Sequence, residues 1–96
     1  MTQIFLTTKG DRHSIFVNDH TRTNVCNIIS CFVESIAAWM DTFHIEGRHE
    51  IEPGCARIDF VGHDDVFDLL CESMTGLAAT CPDDVTAKVQ IFPVRG

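Results

Sequence analysis

The stretch Val25-Cys26-Asn27-Ile28-Ile29-Ser30-Cys31-Phe32-Val33-Glu34-Ser35-Ile36-Ala37-Ala38-Trp39-Met40 decides the architecture of this chain. Its apolar positions Val25, Ile28, Ile29, Phe32, Val33, Ile36, Ala37 and Met40 recur at i, i+3, i+4 and i+7, the spacing of one face of an α-helix. Thr23 or Asn24 is available as the N-cap, because a short polar side chain there accepts a hydrogen bond from an orphan amide of the first turn. Trp39, with Phe43 four residues on, is placed either to pack in the core or to serve an interface. A stripe this broad has to be covered by a second layer.

Working outward supplies that layer. Upstream, Ile4-Phe5-Leu6 and His13-Ser14-Ile15-Phe16-Val17 flank a Gly10-Asp11 turn and read as a β-hairpin. Downstream, residues 44–54 carry Gly47, Pro53 and Gly54 among charged residues and read as a loop with room for one short strand. Residues 56–61, with Ile58 and Phe60 alternating with polar neighbours, form a third strand. Gly62-His63-Asp64-Asp65 opens a second helix with carboxylates at the positive end of its dipole. Val66, Phe67, Leu70, Met74, Leu77 and Ala78 make its apolar stripe, and Pro82 stops it after Cys81. Asp83-Asp84 is a turn, and residues 85–92 alternate as a fourth strand. The order ββαβαβ predicts an α/β two-layer sandwich, a mixed four-stranded sheet with both helices on one face.

A chain of 96 residues reads as a single domain, 1–96, with one core. The start Met1-Thr2-Gln3-Ile4 lacks a basic region before a long apolar segment, and no stretch approaches the ~20 apolar residues of a membrane span. The expectation is therefore a cytoplasmic protein with no membrane partner. Five scattered cysteines without a Cys-x-x-Cys pair fit a reducing compartment, where free cysteines act as small core residues. Cys31, Cys71 and Cys81 fall on or beside the apolar stripes and are expected in the core, with Cys55 in a loop. A net charge of −7 argues against nucleic acid as a partner, since phosphate binding rests on clustered Lys and Arg. It favours a basic protein or peptide.

Chemistry concentrates at one place. Cys26 stands at the start of the first helix, where unpaired amides and the helix dipole favour thiolate over thiol. His20 lies a few residues upstream. Together they supply a nucleophile and a general base, with the amides at the helix start available for an oxyanion. Asp19 is the adjacent carboxylate, but strand neighbours point to opposite faces, so it is poorly placed to orient His20 if the strand runs that far. Ser30 sits one helical turn beyond Cys26 and either bonds near the site or bonds back to its own helix. His13, His44, His49 and His63 read as surface or loop residues. A zinc site drawn from His20, Cys26, His44, His49, Cys55 and His63 lacks the close ligand spacing of zinc modules, so no metal or cofactor is expected.

With these residues placed, the chain resembles the ribosomal-processing cysteine protease (Prp) family of small bacterial and phage proteins. Val25-Cys26 and Ser30 match the motif at the head of that family's long helix, and His20 falls where the family keeps its catalytic histidine. Leu69-Leu70, Gly76-Leu77, Cys81-Pro82 and Val85 match its second helix and last strand, so the likeness spans nearly the whole chain. It departs at Asp19-His20-Thr21, where the family has Gly-His-Ala, and at Thr23, where an acidic residue is common. The segment between His20 and Cys26 is shorter than in the family and has lost its glycines.

The resemblance implies a homodimeric cysteine endopeptidase with Cys26 as nucleophile and His20 as general base. Its substrate would be a short N-terminal extension on a ribosomal protein precursor or on a phage capsid or scaffold protein. Ser30 and Asp19 would be supporting residues. The shortened segment leaves a second class open, a catalytically inactive Prp-like module that binds peptide or protein.

Overall fold

The computed structural model describes residues 1–18 and 24–92, with side chains from Asn27 onward in the second segment. Strands β1 (Thr2–Lys9) and β2 (Arg12–Asn18) form the opening hairpin, followed by helix α1 (Asn24–Phe43). Strands β3 (Gly47–Glu52) and β4 (Cys55–Val61) then precede helix α2 (Asp64–Thr80) and strand β5 (Val85–Phe92). The sheet runs β3-β4-β2-β1-β5, with β1 and β5 parallel and the other pairs antiparallel. This is the expected mixed α/β sandwich with one strand more than the four read from sequence.

The additional strand is β3. Its sequence, Gly-Arg-His-Glu-Ile-Glu, has no apolar alternation, and only His49 is even half-buried. It is an edge strand held by backbone pairing to β4, which a hydrophobic pattern cannot reveal. A two-residue turn, Pro53-Gly54, joins the pair, with Gly54 at φ 83 as the third position of a type II turn requires. Gly47 is needed for a different reason. At φ 146 a Cβ would collide with the carbonyl oxygen of Asp59 on the neighbouring strand.

Alternation then sorts the sheet into two faces. Ile4, Leu6, Ile15, Val17, Ala56, Ile58, Phe60 and Val85 point inward and are buried beneath Ile29, Val33 and Met40 of α1 and Phe67, Leu70 and Met74 of α2. Each fully buried Ile, Leu or Phe contributes roughly 1.5–3 kcal/mol of transfer free energy, so this one cluster dominates stability. Trp39 joins it edge-on to Phe60, ring centroids 5.5 Å apart, whereas Phe43 at the end of α1 is exposed. No helix among the described residues is long and apolar enough to cross a membrane.

Gly47→Ala should destabilise the fold by about 1–3 kcal/mol through strain at the β3–β4 edge. Urea denaturation of the two proteins measures it, and an unchanged midpoint would show that β3 is not held in this register.

Candidate functional site

The helix that carries Cys26 begins at Asn24, so this cysteine is in the first turn, among backbone amides that have no partner within the helix. His20 and Asp19 lie outside the described residues, as do Thr23 and the Cys26 side chain. Ser30 follows one turn along α1 and is half-buried.

Directly after Cys26 the two helices part to form an apolar groove of about 540 Å³. Asn27, Ile28, Cys31 and Phe32 line it from α1, and Val66 and Leu69 from α2. Ile28 is 44% exposed and Leu69 67% exposed, although both are large and apolar. Sequence reasoning placed Ile28 in the core stripe and knew Leu69 only as a motif match of the second helix. The available signal was that α1 carries apolar residues over more of its circumference than one sheet face can cover. For the same reason Cys31, expected in the core, is exposed instead. Two residues beyond Ile29, it is about 200° away around the helix from the buried stripe.

Cys71 and Cys81 pack half-buried against the core, and Cys55 is also half-buried. Burial pushes the Cys71 thiol pKa up, and the carboxylates of Asp68 and Glu72 push it further the same way. It therefore stays protonated where an open thiol begins to ionise.

A different set of polar groups converges inside the fold. His13, expected at the surface, is only 3% exposed. Its Nδ1 lies 2.8 Å from Thr8 Oγ1 and its Nε2 2.8 Å from Asp64 Oδ1. The carboxylate–imidazole–hydroxyl order resembles a catalytic relay. However, the ring stacks on Phe67 at 4.3 Å and packs against Phe60 at 5.4 Å, so it is held as part of the core. It works as a clasp that ties the start of α2 to β1 and β2. Of the other described histidines, His49 donates its Nε2–H to Asp41 Oδ1 at 2.9 Å, and His44 and His63 are exposed with positive φ. Among the described residues no group of three His, Cys, Asp or Glu side chains is arranged to hold a metal ion.

This sandwich is a known fold. It superposes on the protein SMU.848 from Streptococcus mutans with TM-score 0.73 at 15% identity, covering 96% of each chain. It also superposes on the essential ribosomal processing protease Prp from S. aureus. In complex with a substrate peptide the TM-score is 0.77 at 10% identity, and with a covalently linked product peptide it is 0.68 at 14% identity. Both comparisons with Prp cover 93% of this chain and 99% of the other. No protein-family model matches the chain, and no curated protein matches it in sequence. The chain thus has a Prp-like fold over nearly its whole length, in accord with the resemblance in its motifs.

Two outcomes follow from this geometry. His13→Ala should cost about 2–4 kcal/mol, mainly from the lost ring packing against Phe60 and Phe67 and the unpaired Thr8 hydroxyl, since the exposed Asp64 carboxylate is solvated, as read from thermal or urea unfolding. Peptide mass spectrometry after iodoacetamide treatment at pH 8 should show Cys31 labelled well before Cys71, with the gap closing as pH rises past the ordinary thiol range.

Proposed function

We propose that this chain is a Prp-like cysteine endopeptidase with Cys26 as nucleophile and His20 as general base. The observation that carries the reading is the position of Cys26 in the first turn of α1 within a fold shared with a peptide-cleaving protease. His20 takes the thiol proton and the Cys26 thiolate attacks the scissile carbonyl, forming a tetrahedral oxyanion beside the free amides of the helix start. Collapse breaks the C–N bond, the leaving amine receives the proton from His20, and a thioester remains on Cys26. Water, deprotonated by His20, then hydrolyses the thioester and frees the acid product and the thiol.

The apolar groove that opens after Cys26 suits large apolar side chains near the scissile bond. The net charge of −7 favours a basic substrate. The substrate we propose is an N-terminal extension of a ribosomal or phage structural protein in the cytoplasm, basic and with apolar residues near the scissile bond, and a homodimer is the expected working unit. Ser30, one turn from Cys26, is the supporting residue, with Asp19 second. The short, glycine-free segment between His20 and Cys26 favours one other reading, a module that binds the same peptides without cutting them.

Iodoacetamide labelling as a function of pH separates the two. Cys26 should alkylate at pH 6.5 about tenfold faster than Cys55, and His20→Ala should remove most of that advantage. Cys26→Ser should abolish cleavage of a library of basic peptides with apolar residues around the scissile bond. Labelling of Cys26 no faster than Cys55, with peptides bound but intact, assigns the binding module instead.

A further inference from the structure

Every Lys and Arg side chain among the described residues stands on one surface. Alternation and register put Lys9, Arg12, Arg48, Arg57 and Lys88 on the outer face of the sheet, opposite the helices. Neither helix carries a Lys or Arg, while between them they hold Glu34, Asp41, Asp64, Asp65, Asp68 and Glu72. The helical layer is therefore wholly acidic in its charged side chains, and Asp11, Glu46, Asp83 and Asp84 add further negative charge in the connections. The outer face carries more cations than anions, its carboxylates being Glu50, which lies opposite Arg57, Asp59, which lies opposite Arg48 and accepts from the Ser14 hydroxyl, and Glu52.

One row across that face has a particular order. Register aligns Glu50, Arg57, Phe16, Phe5 and Lys88 side by side on the five strands. The two rings lie on the central strands β2 and β1, stacked with centroids 6.3 Å apart and planes 30° apart, and Phe5 is 36% exposed. The Arg57 guanidinium lies 5.3 Å from the Phe16 centroid, which holds it over the face rather than out in solvent. Lys88 flanks the pair on the other side, one strand beyond Phe5 and about 14 Å from Arg57 at ordinary strand spacing. Ser14, Thr7 and Gln90 form a neighbouring row of hydrogen-bonding groups, and Arg12 and Arg48, together with Glu46 and Asp59, border a cleft of about 420 Å³ at one end.

We infer that this face binds single-stranded nucleic acid, with bases stacked on Phe5 and Phe16 and phosphates met by Arg57, Lys88 and the Lys9–Arg12 pair. The ligand has to be anionic, and it has to use aromatic faces aligned between cations. An acidic peptide satisfies the charges and leaves the rings unused, whereas a nucleic-acid strand alternates anions with flat rings in this way. Duplex is disfavoured because its bases are not free to stack. With few phosphate contacts and an acidic layer behind the sheet, binding is micromolar and falls with salt.

The test is fluorescence anisotropy with labelled RNA and DNA octamers, an octamer duplex and an acidic peptide of equal charge, between 50 and 200 mM salt. The expected result is binding of single strands over duplex and peptide. Phe5→Leu and Phe16→Leu, which keep the apolar bulk and fold, should each weaken it about tenfold. Arg57→Gln should lower the logarithmic salt slope by about 0.7. Circular dichroism establishes that each variant is folded, and the RNA and DNA arms identify which sugar is preferred. No binding at 50 mM salt, indifference to all three substitutions, or equal binding of the acidic peptide would overturn the inference, the last by assigning the face to an acidic protein. None of these readouts involves Cys26 or His20.

Discussion

One-sided burial governs this molecule. Alternate side chains of β1, β2, β4 and β5 go under α1 and α2, with Leu6, Ile58 and Phe60 at the centre of the contact. Their neighbours are turned to the opposite surface by the same pleat. The covered face fixes helix placement and therefore the position of the α1 start. The uncovered face is left to charge and aromatic side chains because it contributes little to the core. Two surfaces with different chemistry follow from a single packing constraint.

The helical side has its own consequence. Two helices of 20 and 17 residues lying on one sheet face cannot bury all of their apolar circumference. Ile28 and Leu69 are left along the seam, next to the turn that contains Cys26. A site built there needs no separate domain: the helix start offers free amides, and the seam offers apolar contact within a few residues of it. The Thr8–His13–Asp64 clasp, built on the buried His13 ring, holds the beginning of α2 against the sheet and so sets one wall of the seam.

Most of the architecture was legible because it rests on periodicity. α1, α2 and the alternating strands β4 and β5 appear in the sequence with bounds within a residue or two of the structure, since each presents a buried stripe. β3 was legible only as room for one short strand within a loop, because an edge strand paired only through its backbone has no stripe to show. His13 was misread as a surface residue for a related reason. Its burial depends on Asp64, 51 positions away, and on two phenylalanines from other elements. At the candidate site, Cys26 and His20 are proposed from residue chemistry and motif resemblance, while the groove that opens after Cys26 was not legible, because it is lined from both helices.

Taken alone, the sequence determined the fold class, the placement of Cys26 in the first turn of a long helix, and the overall negative charge. Those depend on local order along the chain, where propensity, periodicity and composition act directly. Tertiary structure decided which charges share a surface. Arg57, Phe16, Phe5 and Lys88 are scattered through the sequence and become neighbours only through strand register, so a chain that counts as acidic presents a cationic, aromatic face. Net charge is a sum and carries no positions; the pairing of strands supplies them.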